Sequence, residues 1–273
     1  MSETSAMVRQ CDRYLDVLGI QARRPSLAAL AELTAAHLAR IPFENVSKLY
    51  YRHDTSRHGL PDLARFLDGI ERYRFGGTCY SNNVHFHQLL AHLGYEVMLC
   101  GADMSKPNVH AVTIVTLDRR RYLVDVGYAA PLTEPLFLDG TADQEIQWGT
   151  CRYVLRPRGS DGRSRLDLYR DGVLSHGYTV TPTHRRIEDF ADVIAESFTD
   201  RATFMHALLV ARFGTGRSVM LRNLTLTRME GTTWRISDVP GADQLPEVIE
   251  REFGIPLDVA RQALDGIQLT GQP

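Results

Sequence analysis

Residues 108–128 read NVHAVTIVTLDRRRYLVDVGY. Two apolar, β-branched runs flank a charged break at about Leu117 to Arg120, the pattern of an antiparallel hairpin. Opposed positions in such a pair have residue numbers with a constant sum, and a two- or four-residue loop makes that sum odd. His110 and Asp125 sum to 235, so such a loop puts their side chains on one face. They are directly opposite if the loop centres between Leu117 and Asp118, and diagonal if it shifts by one residue. Either arrangement leaves the Cβ atoms within about 4.5 to 8 Å, close enough for a hydrogen bond from imidazole to carboxylate. A three-residue loop without a bulge would put them on opposite faces. With Val112, Ile114 and Leu123 around it, the Asp125 carboxylate is expected to be half-buried and to need a partner, which His110 supplies.

Upstream of the hairpin the periodicity is helical. MVRQCDRYLDVLGI (7–20) and SLAALAELTAAHLARI (26–41) read as amphipathic helices, a third runs over about 61–70, and a fourth from about Tyr80 to Leu93 ends at Gly94. Strand patterns begin at Tyr95 and recur to about residue 180. The segment TPTHRRIEDFADVIAESFTDRATFMHALLVAR (181–212) reads as helical again, followed by strands in 218–231 and 233–239 and a last helix near 243–253. The chain is therefore expected to be α+β in three parts. These are a helical bundle over 1–95, an antiparallel barrel or sheet over 96–182 and a mixed α/β unit over 183–273.

RFGGTCYSNN (74–83) places Cys79 behind two glycines and at the start of the fourth helix. Backbone N–H groups of a first helical turn stabilise a thiolate, and a neighbouring imidazolium does so further. On its own this stretch fits a small buried thiol behind a turn slightly better. Together with His110 and Asp125 it fits a Cys-His-Asp triad: the carboxylate orients the imidazole, the imidazole takes the thiol proton, and the sulfur attacks an acyl carbonyl. Cys11, Cys100 and Cys151 lack this setting and form no C-x-x-C pair, so inert free thiols and a reducing, cytoplasmic compartment are expected. The net charge of −2 carries no polyanion-binding signal, and no window resembles a membrane span, so neither nucleic acid nor membrane is expected as a partner. His85 and His87 lie on opposite sides of a helix and do not converge on a metal. The arginines of LDRRRY (117–122) read as a solvated hairpin tip.

Five further segments, in this order, carry a family resemblance: IPFEN (41–45), GGTCYSNN (76–83), VHAVTIV (109–115), YLVDVGY (122–128) and SFTDRATFMHALLVAR (197–212) followed by LRNLTLTR. The chain resembles the arylamine N-acetyltransferase family over nearly its whole length. The resemblance implies an N-terminal helical bundle, an antiparallel β-barrel and a C-terminal α/β lid, in an arrangement related to papain-like and transglutaminase-like cysteine enzymes. It implies Cys79, His110 and Asp125 as catalytic residues, Phe43, Val109 and Phe204 as substrate contacts, and Gly127 and Tyr128 at the cofactor, acetyl-CoA, with no metal. It implies a ping-pong transfer of a short acyl group from acyl-CoA through Cys79 to an arylamine, arylhydrazine or arylhydroxylamine.

Three positions depart from the family pattern. Phe75 and Ser81 stand where R-G-G-x-C-x-E-x-N has Arg and Glu, and Ala129 replaces a glycine after the V-G-aromatic segment. Glu44 then needs another cation, for which Arg74 is the candidate. The rival reading is a macrolactam-forming amide synthase, with an acyl carrier protein as partner. Others are a non-catalytic binder of acyl-CoA or aromatic ligands and a thiol hydrolase.

Overall fold

The computed structural model describes residues 3–270. Four helices lead the chain: α1 (Glu3–Leu18), α2 (Leu27–Arg40), the short α3 (Val46–Tyr50) and α4 (Leu63–Tyr73). Ser26 and Asp62 cap α2 and α4 by accepting from Ala29 N and Arg65 N, as short oxygen-bearing side chains do at helix starts. Cys11, Tyr14, Leu15 and Leu18 form the buried stripe of α1, and Leu63, Phe66, Leu67 and Ile70 that of α4. Between α2 and α3 lies the two-residue strand β1 (Phe43–Glu44), and after α4 comes α5 (Cys79–His92).

The next strands are β2 (Glu96–Asp103), β3 (His110–Leu117), β4 (Arg120–Val124), β5 (Leu136–Phe137), β6 (Gln144–Trp148), β7 (Cys151–Leu155), β8 (Ser164–Arg170) and β9 (Val173–His184). They form one antiparallel sheet in the order β5-β4-β3-β2-β9-β8-β7-β6. Its outer strands come back together: the Gln144 amide of β6 donates to Phe137 O of β5 at 2.6 Å and accepts from Phe137 N at 2.9 Å. A side chain thus occupies the backbone groups that an open sheet edge would leave unpaired, and the sheet is nearly closed into a barrel. Helix α5 packs on β2 and β3.

The remainder holds α6 (Ala191–Glu196), α7 (Thr203–His206), β10 (Leu209–Phe213), β11 (Arg217–Arg222), β12 (Thr225–Glu230), β13 (Thr233–Asp238), α8 (Leu245–Phe253) and α9 (Leu257–Leu264). Here the sequence reading needs two corrections. The run read as a helix up to Arg212 leaves helix at His206, and Leu209–Phe213 is a strand. A short apolar run has no decisive period, and pairing settles it: β10 lies between β1 and β11 in the antiparallel sheet β1-β10-β11-β12-β13. The second correction is α9, which the Gly254 to Pro256 break conceals. Among the described residues no helix is long and apolar enough to cross a membrane.

Asn45 connects the helical segment to this second sheet. Its Nδ2 donates to Phe204 O at 2.8 Å and Ala207 O at 2.6 Å, and its Oδ1 accepts from Leu209 N at 2.9 Å. All three bonds are at least partly buried, so Asn45→Ala strands three backbone groups. Urea unfolding is expected to show a loss of about 3 kcal/mol or more; a loss under about 1 kcal/mol would mean that water replaces the amide without penalty.

Candidate active site

The β3–β4 turn is the two-residue type I′ kind, with Asp118 at φ 49° and Arg119 at φ 62°. Its register pairs Thr113 with Val124 and Leu117 with Arg120. Of the two arrangements that the parity argument allows, this is the diagonal one. His110 Nε2 and Asp125 Oδ2 are 2.8 Å apart, and both side chains are almost wholly buried.

Three more donors fill the Asp125 carboxylate. Tyr178 Oη, from β9, donates to Oδ2 at 2.7 Å; Asn83 Nδ2 and Gly127 N donate to Oδ1 at 2.8 and 2.9 Å. Burial works against the carboxylate's charge, but His110, Asn83 and Tyr178 outweigh it and hold its pKa below the usual 3.8. Burial likewise works against the imidazolium, and Asp125 followed by Cys79 overcomes this and raises His110 from 6.5 to about 10. The pairing therefore favours the protonated imidazole. The stability it contributes is full below its ordinary 6.5 and is lost as pH rises through about 10. For Asp125 the contribution is present above 3.8 and fades as pH falls through the depressed value.

Cys79 opens α5 and is partly exposed, whereas Cys11 and Cys100 are buried. Burial pushes those two thiols up, to about 11 and about 12, which removes them as nucleophiles at neutral pH. Cys79 Sγ lies 3.8 Å from Val109 O and within hydrogen-bonding reach of His110, whose protonated form it favours and whose Nε2 is already committed to Asp125. Thr78 makes no side-chain cap, so first-turn amides of α5 are left for an anion at the sulfur.

The two glycines before Cys79 have separate roles. A Cβ on Gly76 would stand 1.9 Å from Pro42 O, so Gly76 allows close approach to the segment entering β1. Gly77 has φ 102°, a left-handed conformation that glycine adopts without steric cost. Glu44 N donates to Gly77 O at 3.0 Å, and the Glu44 carboxylate accepts from Gly76 N at 3.2 Å and Ser47 N at 2.7 Å.

Arg74 is not the partner of Glu44: it is exposed, at the left-handed C-cap of α4. Backbone amides meet the carboxylate, and the nearby buried cation is Lys48, whose charged form is favoured by both Cys79 and Glu44. Burial lowers Lys48 to about 8; its ammonium donates to Ser197 O and Oγ and sits 4.2 Å from the Phe198 ring centre. Phe75 lies in an aromatic cluster with Tyr50, Tyr51 and Tyr73.

A cavity of about 1150 Å³ opens over the thiol. Phe43, Cys79, Val109, His110, Gly127, Tyr128 and Phe204 all line it, with Phe43 and Phe204 ring centres 5.7 Å apart; Asp125 stands behind His110. Ala129 keeps a left-handed backbone, φ 51°, without being glycine. Asn83 and Tyr178 are site residues that sequence reading missed. Asn83 was foreshadowed by its place one helical turn after Cys79, whereas nothing marked Tyr178 among the other strand aromatics.

Residues 26–262 match the family model described as N-acetyltransferase. The chain belongs to the arylamine N-acetyltransferase family. It is 36% identical over 191 residues to an arylamine N-acetyltransferase of Mycolicibacterium smegmatis, covering 63% of this chain and 65% of that one. The solved M. smegmatis arylamine N-acetyltransferase superposes with a TM-score of 0.76 at 27% identity, covering 94% and 97% of the two chains. Proansamycin X synthase of Amycolatopsis mediterranei is 28% identical, over 82% of this chain and 89% of its own. As a member of the family, the protein is an acyltransferase with the α+β arrangement of the family's solved structures.

Two substitutions test the geometry. Asp125→Asn leaves His110 buried without its carboxylate, so the imidazole should be neutral at pH 7 and the reaction of Cys79 with an acyl thioester should slow by about 10³- to 10⁴-fold in stopped-flow assays. A change below tenfold would show that Asp125 does not control His110. Gly127→Ala puts a Cβ 2.5 Å from Asn83 Nδ2 and 2.8 Å from the Cys79 backbone; a loss of both thermal stability and Cys79 reactivity is expected.

Proposed function

We propose that the protein is an acetyl-CoA-dependent arylamine N-acetyltransferase that works by a ping-pong mechanism through acyl-Cys79. The observation that carries this reading is a partly exposed thiol at a helix start, facing the buried His110–Asp125 pair on the wall of an aromatic-lined cavity.

In the first half-reaction the Cys79 thiolate adds to the thioester carbonyl. First-turn amides of α5 are positioned to stabilise the oxyanion. Collapse of the adduct expels the CoA sulfur, which takes the proton from His110, leaving acyl-Cys79 and a neutral imidazole. In the second half-reaction the acceptor amine attacks the acyl carbon, His110 takes the amine proton, and the Cys79 sulfur leaves as thiolate. The thiolate-imidazolium pair is thereby restored. Acylation also removes the thiolate, one of the charges that hold the His110 proton, so the imidazole becomes a better base when the amine arrives. Phe43, Val109 and Phe204 would flank the aromatic acceptor, and Gly127 and Tyr128 would lie beside the acyl donor.

A second reading is an amide synthase that takes its acyl chain from a carrier protein. The similarity to proansamycin X synthase over most of the chain favours it, and the large cavity accommodates a long acyl chain.

Intact-mass analysis after mixing with acetyl-CoA decides between them. The expected result is one acetyl group per protein, absent in Cys79→Ala, discharged by an arylhydrazine faster than by water. Absence of the adduct defeats the acetyl-CoA reading. Loading from a phosphopantetheinylated carrier thioester but not from acetyl-CoA favours the amide synthase.

A further inference from the structure

Lys48 is a buried ammonium with no carboxylate of its own. It stands on α3 shortly after the Asn45 anchor and is 9% exposed. Its Nζ donates to Ser197 O at 3.2 Å and to Ser197 Oγ at 2.6 Å, sits 4.2 Å from the Phe198 ring centre, and forms no ion pair among the described residues. Each of those partners is neutral. The titratable and charged groups around it are engaged elsewhere: the Glu44 carboxylate with Ser47 N and Gly76 N, Glu196 with Lys106, His58 behind Phe198 with Arg52 O, the Tyr80 hydroxyl with Asn108 O, and Arg57 over the Tyr51 ring. Burial accordingly lowers Lys48 to about 8, while Cys79, ahead of Glu44, favours its charged form.

The thiol belongs to the same patch. Lys48 and Cys79 line one cavity, and Phe198, on which the ammonium sits, packs with Cys79 against the cluster of Tyr80, Val84 and Phe190. An ammonium taken out of water among neutral groups carries a desolvation cost that a nearby negative charge offsets. With the surrounding carboxylates engaged, the Cys79 thiolate is the anion left to meet it, and a lysine beside a cysteine favours the thiolate in return. His110 cannot hold this charge throughout, because it gives up its proton in the first half-reaction and takes one in the second. Lys48 exchanges no proton in either half, so it keeps a positive charge beside the sulfur both when the thiolate attacks and when it leaves. Ser197, the C-cap of α6, holds that charge in place from the last third of the chain.

We infer that Lys48 is a second cation at the Cys79 sulfur, a positioning residue that acts on acyl transfer through the charge of the nucleophile. The inference rests on the reading of Cys79 as the nucleophile and adds a residue that the His110–Asp125 pair does not account for.

The test is alkylation of the intact protein by iodoacetamide across a range of pH, read at Cys79 by peptide mapping so that the other three cysteines do not contribute. Lys48→Met keeps the length of the side chain and removes the charge. At about pH 6.5 it should slow alkylation of Cys79 by about tenfold or more. The hold of the ammonium fades as pH rises through about 8, so wild type and Lys48→Met should converge at high pH. Lys48→Arg, which keeps a charge, should restore most of the rate at about pH 6.5. Single-turnover acylation by acetyl-CoA should slow in Lys48→Met by a similar factor with KM for acetyl-CoA unmoved.

Equal rates in wild type and Lys48→Met overturn the inference. A deficit of the same size at every pH does so too, since damage to the site does not depend on the charge of Lys48. A raised KM for acetyl-CoA with alkylation unmoved also overturns it and assigns the ammonium to substrate binding. If acetyl-CoA leaves no adduct, the acetyl-CoA reading fails on its own, and the alkylation profiles still decide the role of Lys48.

Discussion

The Asp125 carboxylate is the constraint around which the site is organised. It is out of water and its charged form is favoured, because four donors converge on its two oxygens: His110 on β3, Asn83 on α5, Tyr178 on β9, and the amide of Gly127 just beyond β4. A buried charge with so many fixed partners tolerates little displacement of any of them, since each lost donor leaves part of a desolvation penalty uncompensated. The geometry between His110 and Cys79 follows from this. Asn83 lies on the helix that begins with the thiol, so the carboxylate that orients the imidazole also sets the height of the nucleophile.

A second set of contacts supports the first from the opposite side of Cys79. The segment from Pro42 to Asn45 lies against Gly76 and Gly77, Glu44 binds backbone amides at both ends, and Asn45 reaches the second sheet. Phe75 and Ser81 remove one charge of each sign relative to the family pattern. An arginine before the glycines would point into the space that Phe75 fills with aromatic packing, and Lys48 supplies the buried positive charge from the next helix. The Glu44 carboxylate itself is met by backbone amides, and the Lys48 ammonium by Ser197.

Much of this was legible in the sequence, for reasons tied to particular residues. Parity in the hairpin placed His110 and Asp125 on one face because side chains alternate strictly along strands. The turn residues Asp118 and Arg119 are not the usual Asn-Gly or Asp-Gly for positive φ, so direct and diagonal pairing could not be told apart in advance. Leu209–Phe213 was misread because a short apolar run has no decisive period of its own, and its strand character comes from pairing with β11 and with β1, the latter more than 160 residues earlier. The placement of Arg74 failed for a similar reason. A left-handed helix cap sends that side chain outward, and a one-dimensional reading sees only its nearness to Phe75. Tyr178 acquires its role from the long-range pairing of β9 with β2 inside the barrel sheet.

That pairing has a consequence during synthesis. Cys79 leaves the ribosome well before His110 and Asp125, and Tyr178 comes later still, followed by the strand that pairs with β1. Until β9 is in place, the nascent chain carries a thiol and an imidazole without the fully bonded carboxylate that joins their chemistry. The nucleophile is thus made early and gains its partners late.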